Sequence, residues 1–259
     1  MQHKKARLDF LGIGAQKSGT TTLNAYLRSH PGIMLARHEK HFFDNEAQAW
    51  PEASYNDYHR DFFFDSHADH QHLIRGEITP IYLYWEPSLK RIHAYNPEIR
   101  LIVLLRNPIA RAYSHWAMVS QRGEEVLCFS DAIRAEDERL ASAPNRQHRV
   151  YSYMRRGLYH QQLQRMLTLF PATQIYIARA EQLFDDPNTI LTDIHRFLGV
   201  APQPPQNHEH QRIGTYSSSL SRDDWMYLYG KLIEDIEALE HLLNWDCSAW
   251  KRPWEGIQG

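Results

Sequence analysis

Near the start of this chain, Gly14-Ala15-Gln16-Lys17-Ser18-Gly19-Thr20-Thr21-Thr22 combines two glycines, one lysine and a run of hydroxyls behind the apolar run 8–13. A strand ending in a glycine-framed loop that opens a helix binds phosphate, because loop amides and the helix N-terminus direct positive charge at an anion. The glycines have the Walker A spacing, G-x-x-x-x-G, but that motif puts its lysine directly after the second glycine, where Thr20 stands. The cation here, Lys17, lies inside the loop. So displaced, it suits a donor carrying one phosphate and its leaving group at the 5′-position better than a triphosphate.

Two further segments hold reactive side chains. His38-Glu39-Lys40-His41-Phe42-Phe43-Asp44 sets a carboxylate, an imidazole and a second carboxylate beside two phenylalanines. Aromatic neighbours can desolvate a carboxylate and raise its pKa toward the range of a base. The alternative is a surface turn whose Phe pair plugs the core. In the other segment, Arg106 follows the aliphatic run 101–105, and Ser114 lies eight residues on. Ligands of open α/β sheets bind at the C-terminal ends of strands. An arginine fork and a serine hydroxyl there suit a second phosphate. A helix cap or ion pair would explain either residue alone.

These segments need a frame, and the hydropathy pattern predicts one. Strands are expected at 8–13, 33–36, 72–77, 101–105 and 174–178, and helices at 20–29, 55–64, 86–95, 109–122, 129–140, 157–170, 187–198 and 221–243. Pro108 suits a first helical turn, Gly199 closes a helix, and Ser221 caps one with Asp223 and Asp224 in its first turn. Strand–helix alternation predicts an α/β fold: one domain over residues 1–259, a central parallel sheet flanked by helices on both faces, and a P-loop-like phosphate loop.

Taken together, the segments resemble the PAPS-dependent sulfotransferases. Gln16-Lys17-Ser18-Gly19-Thr20-Thr21 is similar to the family's 5′-phosphosulfate loop, and the run from Leu104-Leu105-Arg106-Asn107-Pro108 to Ser114 to its 3′-phosphate motif. Glu39-Lys40-His41-Phe42-Phe43-Asp44 resembles the E-x-H-F-F-D segment of the heparan sulfate branch, whose glutamate is the proposed base. Gly76-Glu77-Ile78-Thr79-Pro80-Ile81-Tyr82 lies where that branch has E-K-T-P-x-Y; Ile78 replaces the lysine there, so either Lys40, Arg37 or His38 is a substitute cation or the acceptor does not need one. Gly157-Leu158-Tyr159, Glu181-Gln182-Leu183 and Phe197-Leu198-Gly199 resemble the back half, and residues 208–219 stand where the Golgi enzymes have a disulfide-closed loop.

The resemblance implies sulfuryl transfer from PAPS, leaving adenosine 3′,5′-bisphosphate, with no metal required. Gln16, Lys17, Ser18, Gly19, Thr20, Thr21, Thr22, Arg106 and Ser114 would hold the donor. Lys17 would neutralise the departing phosphate. Glu39 is the expected base, and His41 orients it or substitutes for it.

Composition narrows the partners. A formal charge of −2 and a pI near 6.8 give no general attraction to nucleic acid or an anionic membrane. Cys128 and Cys247, far apart, form no disulfide framework, and a cytoplasmic location without a membrane span is expected. The acceptor is expected to be a small molecule or glycoside. The histidines at 67, 70, 72, 208 and 210 lack a HExxH or cysteine-pair context and read as solvated loops. Trp225, Tyr227 and Tyr229 read as a packing face; Arg146, Arg149, Arg155 and Arg156 form the one local basic cluster. A P-loop kinase would carry lysine at position 20 and a magnesium-binding acid. A dinucleotide site fails because its third glycine falls at Lys17. A nucleotide-binding scaffold without turnover is the non-catalytic alternative.

Overall fold

The computed structural model describes residues 7–60, 62, 72–205 and 220–252. The chain divides into two compact units, Met1–Leu105 with Arg165–Gln211, and Arg106–Gln164 with Arg212–Gly259.

Among the described residues of the first unit, five strands form one sheet in the order β2-β3-β1-β4-β5. They are β1 (Phe10–Gly14), β2 (Ile33–Leu35), β3 (Ile74–Ile78), β4 (Arg100–Leu105) and β5 (Ile175–Arg179). Every pairing is parallel, with Phe10 opposite Gly76 on one side and Arg100 on the other. The central strands are aliphatic runs without polar alternation, the signature of a sheet covered on both faces. One face is covered by α1 (Thr20–Arg28), α8 (Ala180–Asp185) and α9 (Pro187–Leu198). Leu23, Leu27, Leu183, Ile190 and Ile194 cluster there with Phe10, Ile78, Ile102 and Leu104. Side chains alternate along a strand, so Glu77 points the other way. It meets Tyr58 of α2 (Asn56–His59), which packs edge-on to Tyr95 of α3 (Glu86–Tyr95) at 5.7 Å.

The second unit holds α4 (Pro108–Gln121), α5 (Phe129–Arg134), α6 (Glu136–Leu140), most of α7 (Tyr159–Leu167) and α10 (Arg222–Leu243). Asn107 caps α4 by accepting from Ile109 and Ala110 N–H at 2.9 and 3.2 Å. Ser221 caps α10 by accepting from Asp224 N–H. Trp225 and Tyr229 stack at 4.7 Å above the buried Leu228 and Leu232, so this stretch is a packing face.

Two expected helices differ. The helix over 129–140 is broken at Ala135, where the buried Glu136 accepts from Met154 and Arg155 N–H at 2.6 and 2.9 Å. The helix expected at 55–64 runs only from Asn56 to His59; residues 61 and 63–71, with His67 and His70, lie outside the described residues. So do 206–219, with His208 and His210.

Candidate active site

β1 is buried along its whole length and delivers the chain into the glycine-framed loop. Two hydrogen bonds shape that loop: Ala15 N–H donates to Leu104 O at 2.7 Å, and Ser18 N–H to Ala15 O at 3.1 Å. Lys17 (φ 72°) and Gly19 (φ 80°) are both left-handed. Glycine is the natural occupant of the second position. A β-carbon there would also come within 2.9 Å of the Phe184 ring.

α1 then opens at Thr20 with no side chain capping it, leaving its first amides available to an anion. Ser18 is fully buried and Thr22 nearly so, and neither Ser18 Oγ nor Thr22 Oγ1 has a hydrogen-bond partner. Buried hydroxyls are rarely left unpaired in a finished structure. A phosphate seated on the loop would give both hydroxyls an acceptor. Thr20 is buried, Thr21 exposed, and Gln16 and Lys17 half-buried.

The carboxylate–imidazole segment lies in the same unit. His41 Nε2 is 3.2 Å from Glu39, and Nδ1 is 3.0 Å from Asp44. Hydrogen bonds to Asp44 and then Glu39 push the His41 pKa up to about 9. At neutral pH the ring is an imidazolium with both N–H groups committed. In that state its two N–H groups are directed at Glu39 and Asp44, which favours an orienting part for the ring over proton abstraction. Phe42 and Phe43 plug the core, as one reading of the sequence had it. The carboxylate they bury is Asp44, whereas the Glu39 side chain is 48% exposed. Arg37 and His38 are exposed beside it.

Sequence reasoning gave Glu77 no role. It is fully buried on β3 and accepts four hydrogen bonds. The visible signal was an acid at the end of an expected strand with a tyrosine five residues on. Burial raises its pKa against the pull of those donors. Its neighbour Ile78 points into the apolar cluster and packs on Gly12, where a β-carbon would lie 2.8 Å from Ile78 Cγ1.

Arg106 and Ser114 belong to the second unit. Arg106 is half-buried directly after β4, and its carbonyl accepts from Tyr159 Oη at 2.8 Å. Ser114 is buried on α4. Within the basic cluster, Arg156 is buried and donates to His148 O and Arg149 O, while Arg155 pairs with Asp137 at 2.8 Å. Arg146 and Arg149 are exposed. Among the described residues no group of three or more His, Cys, Asp or Glu could hold a metal ion.

Comparison with known proteins adds four findings. A family model described as a sulfotransferase domain matches residues 7–237. The human heparan sulfate glucosamine 3-O-sulfotransferase 6 is 31% identical over 191 residues, covering 73% of this chain and 51% of that protein. The human bifunctional heparan sulfate N-deacetylase/N-sulfotransferase 3 is 28% identical over 234 residues, 87% of this chain and 25% of that protein. The chain thus spans about half the length, or less, of these curated relatives. A solved sulfotransferase from Alicyclobacillus acidocaldarius superposes with a TM-score of 0.76 at 27% identity, covering 95% of this chain and 100% of that one.

Proposed function

The chain belongs to the sulfotransferase family, and from that premise we propose that it moves a sulfuryl group from PAPS to a hydroxyl or amine of a small or weakly charged acceptor. The match over residues 7–237 runs through both units, which supports reading them as parts of one sulfotransferase domain.

The reaction is an in-line displacement at sulfur. The acceptor oxygen or nitrogen forms a bond to sulfur and gives its proton to the Glu39 carboxylate. The sulfur–oxygen bond to the 5′-phosphate breaks, and its electron pair stays on the phosphate. Lys17 neutralises that charge, with the amides opening α1 and the hydroxyls of Ser18, Thr20, Thr21 and Thr22. Gln16 and Gly19 complete the loop. Arg106 and Ser114 take the 3′-phosphate. His41, held between two carboxylates, aims Glu39 at the acceptor.

The observation that carries the donor assignment is the loop itself: an uncapped helix start beside buried hydroxyls that lack partners. Calorimetry tests it. Adenosine 3′,5′-bisphosphate should bind and Mg-ATP should not compete, and turnover of PAPS should survive EDTA. Tight Mg-ATP binding with none of the bisphosphate would overturn the reading in favour of a kinase. Bisphosphate binding without turnover of any acceptor would mark a scaffold.

The relatives' names attach heparan sulfate to those proteins. A small or weakly charged acceptor for this chain rests on its net charge of −2 and on isoleucine at position 78. Among the described residues no helix is long and apolar enough to cross a membrane, and Cys128 and Cys247 are free thiols.

A further inference from the structure

The most completely bonded carboxylate near the site does not face the acceptor. Glu77 Oε2 accepts from Lys40 N–H at 3.2 Å and from Thr79 Oγ1 at 2.9 Å, and Thr79 Oγ1 itself accepts from Lys40 N–H at 3.0 Å. Glu77 Oε1 accepts from Tyr58 Oη at 2.8 Å and Tyr82 Oη at 3.0 Å. Tyr82 Oη in turn accepts from Phe42 N–H at 3.0 Å. The backbone is therefore gripped at Lys40 and at Phe42, the two residues flanking His41. His41 sits between those grips with φ 48°, a left-handed conformation that a β-substituted residue holds only when its surroundings impose it.

We infer that Glu77 is a positioning residue for sulfuryl transfer: acting through Thr79 and Tyr82 on the Lys40 and Phe42 amides, it fixes the turn that points His41 at Glu39 and Asp44. The inference rests on the reading of Glu39 as the base. A buried carboxylate suits the task because one charged group can accept four hydrogen bonds and so tie two backbone sites to one strand. The groups facing it are the hydroxyls of Tyr58 on α2 and of Tyr82 and Thr79 after β3, with Tyr95 of α3 and Asp44 further out. Those facing His41 are Glu39 and Asp44.

The test uses Glu77→Gln, with two milder variants that keep the volume: Tyr82→Phe, which removes the Phe42 grip, and Thr79→Val, which halves the Lys40 grip by leaving only its direct bond to Glu77. Three quantities are read: bisphosphate affinity by calorimetry, kcat with PAPS, and the His41 imidazole titration by NMR. Expected are unchanged bisphosphate affinity, a kcat loss on the order of 10- to 100-fold, and a His41 midpoint falling from about 9 toward 6.5 as the turn relaxes. Intact kcat and an unmoved midpoint in Tyr82→Phe and Thr79→Val would overturn the inference. So would parallel loss of bisphosphate binding, which marks general damage. If Glu39→Gln remains active, the base assignment fails by itself; the His41 titration still decides whether Glu77 sets the turn.

Discussion

Three carboxylates surround the His41 turn, and burial sorts them. Asp44 and Glu77 are buried, while Glu39 is half-exposed. Only Glu39 can meet an acceptor without rearrangement, so Glu39→Gln should lower kcat by about two orders of magnitude or more and leave bisphosphate affinity unchanged; retained activity with a dead His41→Ala would pass the role to His41. The imidazolium adds a pH dependence with a definite sign. Its pKa is raised to about 9, so the charged form that holds Glu39 persists below that value and is lost as pH rises through it. A kcat profile should therefore fall on an alkaline limb near pH 9, and His41→Asn should lack that limb. Glu39, His41 and Lys17 stood out in the sequence because their chemistry lies within a few consecutive residues. The grip of Glu77 did not, since it joins positions 40, 58, 77 and 82, which only the paired strands and the aromatic packing bring together.

At the scale of elements, the turn leading into α4 and the helix itself carry the donor's second anchor in the proposed reading, Arg106 before the helix and Ser114 on it. Arg106→Ala should weaken the bisphosphate by about 2–5 kcal/mol if the ion pair is desolvated, and hardly affect adenosine 5′-phosphosulfate, which lacks the 3′-phosphate. Equal losses for both ligands in calorimetry would give Arg106 a structural role instead. Asn107→Ala removes the acceptor of two first-turn amides, and the urea midpoint should fall by the equivalent of about 1 kcal/mol. Elements with unbroken aliphatic runs or clear caps were readable. The strand expected at 101–105 is β4, the helix expected at 187–198 is α9 closed by Gly199, and Ser221 caps α10 as its position suggested. Short elements were not. α8 follows β5 without a break and carries no apolar stripe long enough to announce itself. The interruption between α5 and α6 coincides with the tertiary bonds of Glu136, which no local pattern encodes.

For the whole molecule, net charge and buried acids set the remaining expectations. Holding a long polyanion needs an extended cationic cleft, and the chain has 29 Lys and Arg against 31 Asp and Glu. Small alcohols, phenols, amines and glycosides should accept sulfate better than heparan-type chains; salt-sensitive transfer to the polymer alone would reverse that view. Burial raises the Glu136 pKa to about 7, so the folded state favours the protonated acid. The stability it contributes is present below the ordinary carboxylate range and is lost as pH rises through about 7, up to about 3 kcal/mol. Urea midpoints between pH 5 and 8 should decline for the native chain relative to Glu136→Gln; equal slopes would remove Glu136 from the account. Ile78, lodged against Gly12, bears on the routes open to mutation. A lysine introduced there begins its stem among Leu23, Ile102 and their neighbours and must thread out before its ammonium meets water. Recovering that cation is a repacking problem spread over two strands, whereas Arg37, His38 and Lys40 change at the surface or near it without disturbing the sheet. A selection for new acceptors should accordingly return substitutions at 37, 38 and 40 and leave Ile78 untouched.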